Sequence, residues 1–361
     1  MCAILPVLWL AAAPPDAPTT APVFEPVAVC RDAGAGGYEA FPDILRTREG
    51  ELLCVFYAGF AHVSLPRWAK GGVLPPECPR AGRICLVRST DEGRTWSRAG
   101  VVADTPLDDR DPSIMQMPDG ELICNYFSHR HDDKRGYQFV HSALVRSRDG
   151  GKTWGPEQEM FRQWVCSSPI RRLSDGRLGI ALYFHPGENR VRGKMVGGFS
   201  VSSDGGRTWS EPVRIGDNSD IPLDAEPDFV EVAPGRLLML MRPAMAYSWS
   251  TDGGRTWTEP KRVGFRGDAP YLLKLRSGLL LLGHRHPGTS LHISADDGQT
   301  WGPNIQIDAC TGAYPSMCEL PDGSVYCVYY TEGEASDIRG VRFRATGTGI
   351  IPVPPGPRPA Q

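Results

Sequence analysis

Ser89-Thr90-Asp91-Glu92-Gly93-Arg94-Thr95-Trp96 reads as a tight turn with an anchor at its end. The Asp carboxylate is placed to cap backbone amides, the Gly takes a positive φ, and the Trp plants the turn between two strands. The same S-x-D-x-G-x-T-W pattern returns at residues 147–154, 202–209, 250–257 and 294–301. Five of the nine tryptophans stand in it, which makes them scaffold rather than a ligand-binding stripe.

Working outward, a second repeat comes into view. A proline opens an alternating apolar run, a glycine follows seven or eight residues on, and a second apolar run begins. The copies are Pro42…Gly50, Pro112…Gly120, Pro169…Gly176, Pro227…Gly235, Pro270…Gly278 and Pro315…Gly323. Repeats of roughly 40–45 residues have the length of a four-stranded propeller blade. The two repeats together predict an all-β, six-bladed β-propeller over residues 22–346. In each blade strand A begins at the proline, the glycine turns into B, and the Asp/Trp turn joins C to D. The last copy runs out after one further strand near residues 338–343, so an N-terminal strand within residues 23–29 is expected to close the ring and remove its open edges.

Composition agrees. The 361 residues include 41 Gly and 33 Pro, well above ordinary usage, which leaves little room for long helices, while 41% hydrophobic residues suffice for a core. A net charge of −3 provides no basic field for a phosphate backbone, so nucleic acid is not an expected partner. The apolar run at residues 3–13 is too short to span a bilayer and has signal-peptide length, so residues 1–21 read as a signal peptide or disordered leader and the chain as exported, to periplasm or outside. The proline-rich segment 347–361 reads as a disordered tail. Cys54, Cys124 and Cys327 fall at one repeated position that holds Ile180, Met239 and Leu282 in the other copies, which marks them as core groups. Whether Cys310 and Cys318 pair is left open.

The topology also locates the site. Strand heads and B-strand exits share one face, where the residues before the six prolines are Phe41, Asp111, Ser168, Glu226, Ala269 and Tyr314. Seven residues after the glycines stand Tyr57, Phe127, Tyr183, Arg242, Arg285 and Tyr330. His62, His129, His131, His185, His284 and His286 lie at the same exits, as does the long loop of residues 59–82. The alternating histidine pairs have no third ligand at a metal-site spacing, and nothing points to a metal or cofactor.

On these motifs the chain resembles the sialidase (neuraminidase) superfamily, whose Asp-boxes, or BNR repeats, match the five turns. The resemblance implies a glycosidase that removes sialic acid or a related acidic sugar from glycans. Tyr314 matches the nucleophile, Glu226 its partner, Arg242 one arginine of the carboxylate clamp and, more loosely, Arg285 another. Two family features are missing. Ala40-Phe41-Pro42 stands where an arginine precedes the first proline, and residues 59–82 contain no Asp for acid/base work. Arg67 or Arg110 is the substitute for the clamp, and Asp111 or His62 for the proton transfer. The alternatives are a uronate-specific polysaccharide lyase using His, Tyr and Arg, and a non-catalytic glycan-binding propeller.

Overall fold

The computed structural model describes residues 23–132, 134, 136–184, 195–243, 245–333 and 336–355. Six antiparallel sheets follow one another in sequence. Blade 1 is Tyr38–Arg46, Leu52–Gly59, Arg83–Ser89 and Gly100–Ala103, and blade 2 is Asp108–Gln116, Leu122–Asp132, Gly136–Ser147 and Gln158–Phe161. Blade 3 has a broken inner edge, Trp164–Val165 and Arg171–Arg172, and blades 4 and 5 begin at Leu223 and Tyr271. In blade 6, Val27–Cys30 pairs antiparallel with Ile338–Ala345, so the N-terminal strand closes the ring as expected. Among the described residues no helix is long and apolar enough to cross a membrane.

All five Asp-box turns share one bonding pattern. In the first, Asp91 accepts from Thr95 N at 2.9 Å and Thr95 Oγ1 at 2.6 Å, while Gly93 N donates to Ser89 Oγ at 2.9 Å. The five tryptophans pack half-buried against the apolar layers between blades. One such layer joins Met115, Ile123 and Leu144 of blade 2 to Ile170, Ile180 and Leu182 of blade 3. Each large aliphatic side chain buried this way contributes about 2 kcal/mol of transfer free energy. At the axis two carboxylates stitch neighbouring blades. Asp43 accepts from Ser316 Oγ at 2.5 Å and Ile114 N at 2.8 Å, and Asp228 from Leu272 N at 2.7 Å and Arg171 at 2.8 Å.

Two expectations are corrected and one open point is answered. In blades 1, 2, 4 and 6 the proline does not open strand A but lies inside it, because the register skips a residue there, between Ala40 and Asp43 in blade 1 for instance. The β-bulge interrupts the ladder, which removes the objection to a residue without an N–H. The C-terminal segment is not all unpacked: Ile350–Pro352 pairs with Phe343–Ala345 on the outer edge of blade 6, beyond the stretch covered by Val27–Cys30. A short apolar pair was enough to occupy a vacant edge despite the surrounding prolines. Cys310 and Cys318 do not pair, and the nine described cysteines are all free thiols, with Cys54, Cys124 and Cys327 fully buried in the core. The leader of residues 1–21, His185 and residues 356–361 lie outside the described residues.

Candidate active site

The bulges decide where side chains point. Phe41, Asp111, Glu226, Ala269 and Tyr314, five of the six residues preceding the prolines, have φ between 44° and 55°. A non-glycine residue there is strained by about 1–3 kcal/mol and persists only where its surroundings hold it. The reversed backbone turns these residues toward the axis, where Glu226 and the other five Xaa-Pro pairs line one cavity.

Of the lining side chains, Tyr314 Oη donates to Glu226 Oε1 at 2.5 Å, and Arg242 Nη1 lies 2.8 Å from Glu226 Oε2. Arg285 stands over the Tyr314 ring, its Cζ 5.5 Å from the centroid. Both arginines remain partly exposed to the funnel. Burial, reinforced by the Glu226 carboxylate, pushes the Tyr314 phenol well above its ordinary value. Burial also raises Glu226, with Arg242 pulling it back. Both shifts favour keeping a proton in this pair, on the phenol or on the carboxyl it donates to.

Asp111 shares the floor. Its Oδ1 is buried without a hydrogen bond, 3.9 Å from Arg110 Nε, and burial raises its pKa. His62 sits on the rim, about half exposed. Its Nδ1 lies 2.9 Å from Tyr38 Oη and 3.5 Å from Glu332 Oε1. Tyr38 Oη donates to Glu332 at 2.7 Å, so the Tyr38 lone pair faces Nδ1 and favours the proton on that nitrogen. Tyr330 Oη donates to the other Glu332 oxygen at 2.7 Å, and the carboxyl is held down to about 2, chiefly by His62.

Neither substitute arginine joins the Tyr314–Glu226 pair among the described contacts. Arg110 reaches the cluster but is buried, paired to Asp108 at 3.3 Å, and donates to the His62 carbonyl. Its guanidinium lies 4.9 Å from the Phe41 ring and 5.2 Å from the Tyr57 ring. It fastens the blade 1 loop to blade 2. Arg67 is exposed on the 3-10 turn Pro66–Trp68 and shares no described contact with Tyr314 or Glu226. Phe41 packs its ring 5.1 Å from Tyr314 and 5.4 Å from His62. Sequence reading missed Tyr38 and Glu332. Continuing two residues past Tyr330 along the same strand face would have flagged Glu332.

Comparisons with known proteins agree with the fold. The family model described as a BNR repeat-like domain matches residues 76–327. A sialidase of Micromonospora viridifaciens is 26% identical over 401 aligned positions, covering 95% of this chain, which spans 58% of that relative's length. Among solved structures, a protein of unknown function from Dyadobacter fermentans aligns with a TM-score of 0.74 at 20% identity, covering 89% of this chain and 98% of that one. The NanB sialidase of Streptococcus pneumoniae aligns at 0.65 and 13% identity, covering 89% and 70%. The intramolecular trans-sialidase of Ruminococcus gnavus aligns at 0.67 and 15%, covering 89% and 97%. Repeats, ring and family match converge: this chain belongs to the BNR repeat-like family, as a six-bladed propeller of the sialidase superfamily.

Proposed function

We propose that the protein is an exported, retaining glycosidase that removes a terminal α-linked acidic sugar of the sialic-acid type from glycans. The observation that carries this reading is the 2.5 Å hydrogen bond from Tyr314 to Glu226, with Arg242 on the second carboxylate oxygen. A phenol attacks a sugar only if its proton has a destination, and a neutral nucleophile avoids repulsion by the substrate's own carboxylate. Arg242 and Arg285 bind that carboxylate, with the bidentate geometry available to guanidinium.

In the first step Tyr314 Oη bonds to the anomeric carbon and its proton passes to Glu226. The glycosidic C–O bond breaks, and the leaving oxygen takes the Nε2 proton of the His62 imidazolium, whose Nδ1 proton stays with Tyr38 and Glu332. In the second, His62 accepts a proton from water as the water oxygen displaces Tyr314, which recovers its own proton from Glu226. The stereochemistry at carbon is retained. Asp111, with an unpartnered oxygen in the floor, is an acceptor for a substrate hydroxyl. Tyr314→Phe tests the reading: turnover of 3′-sialyllactose should fall at least a thousandfold, and unchanged turnover would rule it out. Binding of the glycan without any released sugar by the wild type would select the non-catalytic alternative.

A further inference from the structure

The connection between the second and third strands of blade 1, residues 60–82, carries His62 but gives it no place in a sheet; its only regular structure is two short 3-10 turns, Pro66–Trp68 and Lys70–Gly72. Ordering a loop of that length costs conformational entropy that bonds along it must offset. The bonds come from blade 2. Asp108, at the head of the first strand of that blade and wholly buried, turns Oδ1 toward the loop. That one oxygen accepts from Tyr57 Oη at 2.8 Å, Gly82 N at 3.1 Å and Ser64 N at 3.3 Å. Tyr57 stands in the strand that enters the loop, Gly82 ends the loop, and Ser64 follows His62 by two residues. The approach is close enough that a Cβ on Gly82 would collide with both Asp108 Oδ1 and the Tyr57 ring.

The other oxygen leads to His62 itself. Asp108 Oδ2 lies 3.3 Å from Arg110 Nη1, which donates to the His62 carbonyl, and Arg110 Nη2 lies 3.5 Å from His62 Nε2. Ser64 Oγ accepts from Phe60 N at 3.0 Å and Ala61 N at 3.3 Å, so the backbone on both sides of His62 is bonded into one knot. Asp108 shares no described contact with Tyr314 or Glu226. Its bonds lead to the mouth through the loop and His62.

We propose that Asp108 is the positioning residue for proton transfer to the leaving group, holding the blade 1 loop so that His62 stands at the mouth; this rests on the part given to His62 in the hydrolase reading above. A proton donor works only within hydrogen-bond reach of the leaving oxygen, and a misplacement of about 1 Å costs on the order of a hundredfold. Asparagine at this position keeps an acceptor for the three loop donors but sets an NH₂ against Arg110, which removes the charge-assisted link to the His62 carbonyl.

The test compares 3′-sialyllactose, whose leaving sugar needs a proton, with a 4-nitrophenyl sialoside, whose leaving group does not. Asp108→Asn should lower kcat/KM about thirtyfold on 3′-sialyllactose and leave the aryl sialoside within about threefold, since kcat/KM reports the first step. Added to His62→Ala, the same substitution should cost nothing further, because no donor is left to misplace. Tyr57→Phe, which removes one of the three donors, should show the same selectivity at smaller size and carries the test if Asp108→Asn does not fold. Equal losses on the two substrates, no loss on either, or losses additive with His62→Ala overturn the positioning role and leave the hydrolase reading standing. If His62→Ala itself loses equally on both substrates, the donor assignment falls and the positioning role falls with it; no wild-type turnover of either substrate overturns the hydrolase reading as well.

Discussion

Tyr314 and Glu226 are 88 residues apart in sequence and on blades 6 and 4, yet their oxygens meet at 2.5 Å. Each stands in left-handed backbone, φ 44° and 55°, immediately before a proline inside a bulged strand. The pairing is thus a product of two matched local distortions on a closed ring. Neither blade alone presents the pair, and regular strands would point these side chains elsewhere.

If Glu226 takes the Tyr314 proton, Glu226→Gln keeps a hydrogen-bond acceptor but removes the base. Its kcat should fall by about 10²–10⁴-fold with little change in thermal midpoint. Loss of folding instead, read by circular dichroism, would assign Glu226 to holding Arg242 in place.

If His62 protonates the leaving group, His62→Ala should cost about 10²-fold on 3′-sialyllactose and much less on an aryl glycoside whose leaving group needs no proton. Equal losses on the two substrates would move the proton transfer to Asp111.

The Asp-box turns are scaffold. A Cβ on Gly93, at φ 87°, would fall 2.1 Å from a Tyr326 ring carbon. Gly93→Ala should destabilise the fold by about 3 kcal/mol through overpacking and left-handed strain. Turnover per folded molecule should remain unchanged. A catalytic defect at full stability would contradict this division between the two faces.

Asp43, buried at the axis, is raised by desolvation from 3.8 to about 6. The folded state then binds its proton more tightly than the unfolded chain. Its contribution is complete below pH 3.8 and is lost as pH rises through about 6. Asp43→Asn should flatten the dependence of the thermal midpoint on pH between about 4 and 6, measured against wild type by calorimetry. An unchanged slope would place the effect in other groups.

The blade count and the strand donated by the N-terminus follow from the Pro…Gly copies and the missing sixth turn, since both are local patterns repeated in order. Asp111, Glu226 and Tyr314 were legible because one position per repeat marks the funnel. The bulge was not legible, because proline signals a strand end unless the ladder is already broken there. Nor was the His62–Tyr38–Glu332 linkage, because 294 residues separate the last two and only ring closure brings them together. Arg110 was legible as near the site but not as buried beneath Phe41 and Tyr57, which depends on side-chain direction at the bulge.

Covalent trapping addresses the central claim most directly. The protein is treated with 2,3-difluorosialic acid, whose fluorines slow breakdown of a glycosyl-enzyme, and its peptides are mapped by mass spectrometry. The mechanism predicts one added sugar on the peptide containing Tyr314, absent in Tyr314→Phe. An adduct on another residue, or an enzyme that hydrolyses 3′-sialyllactose yet forms none, would contradict it.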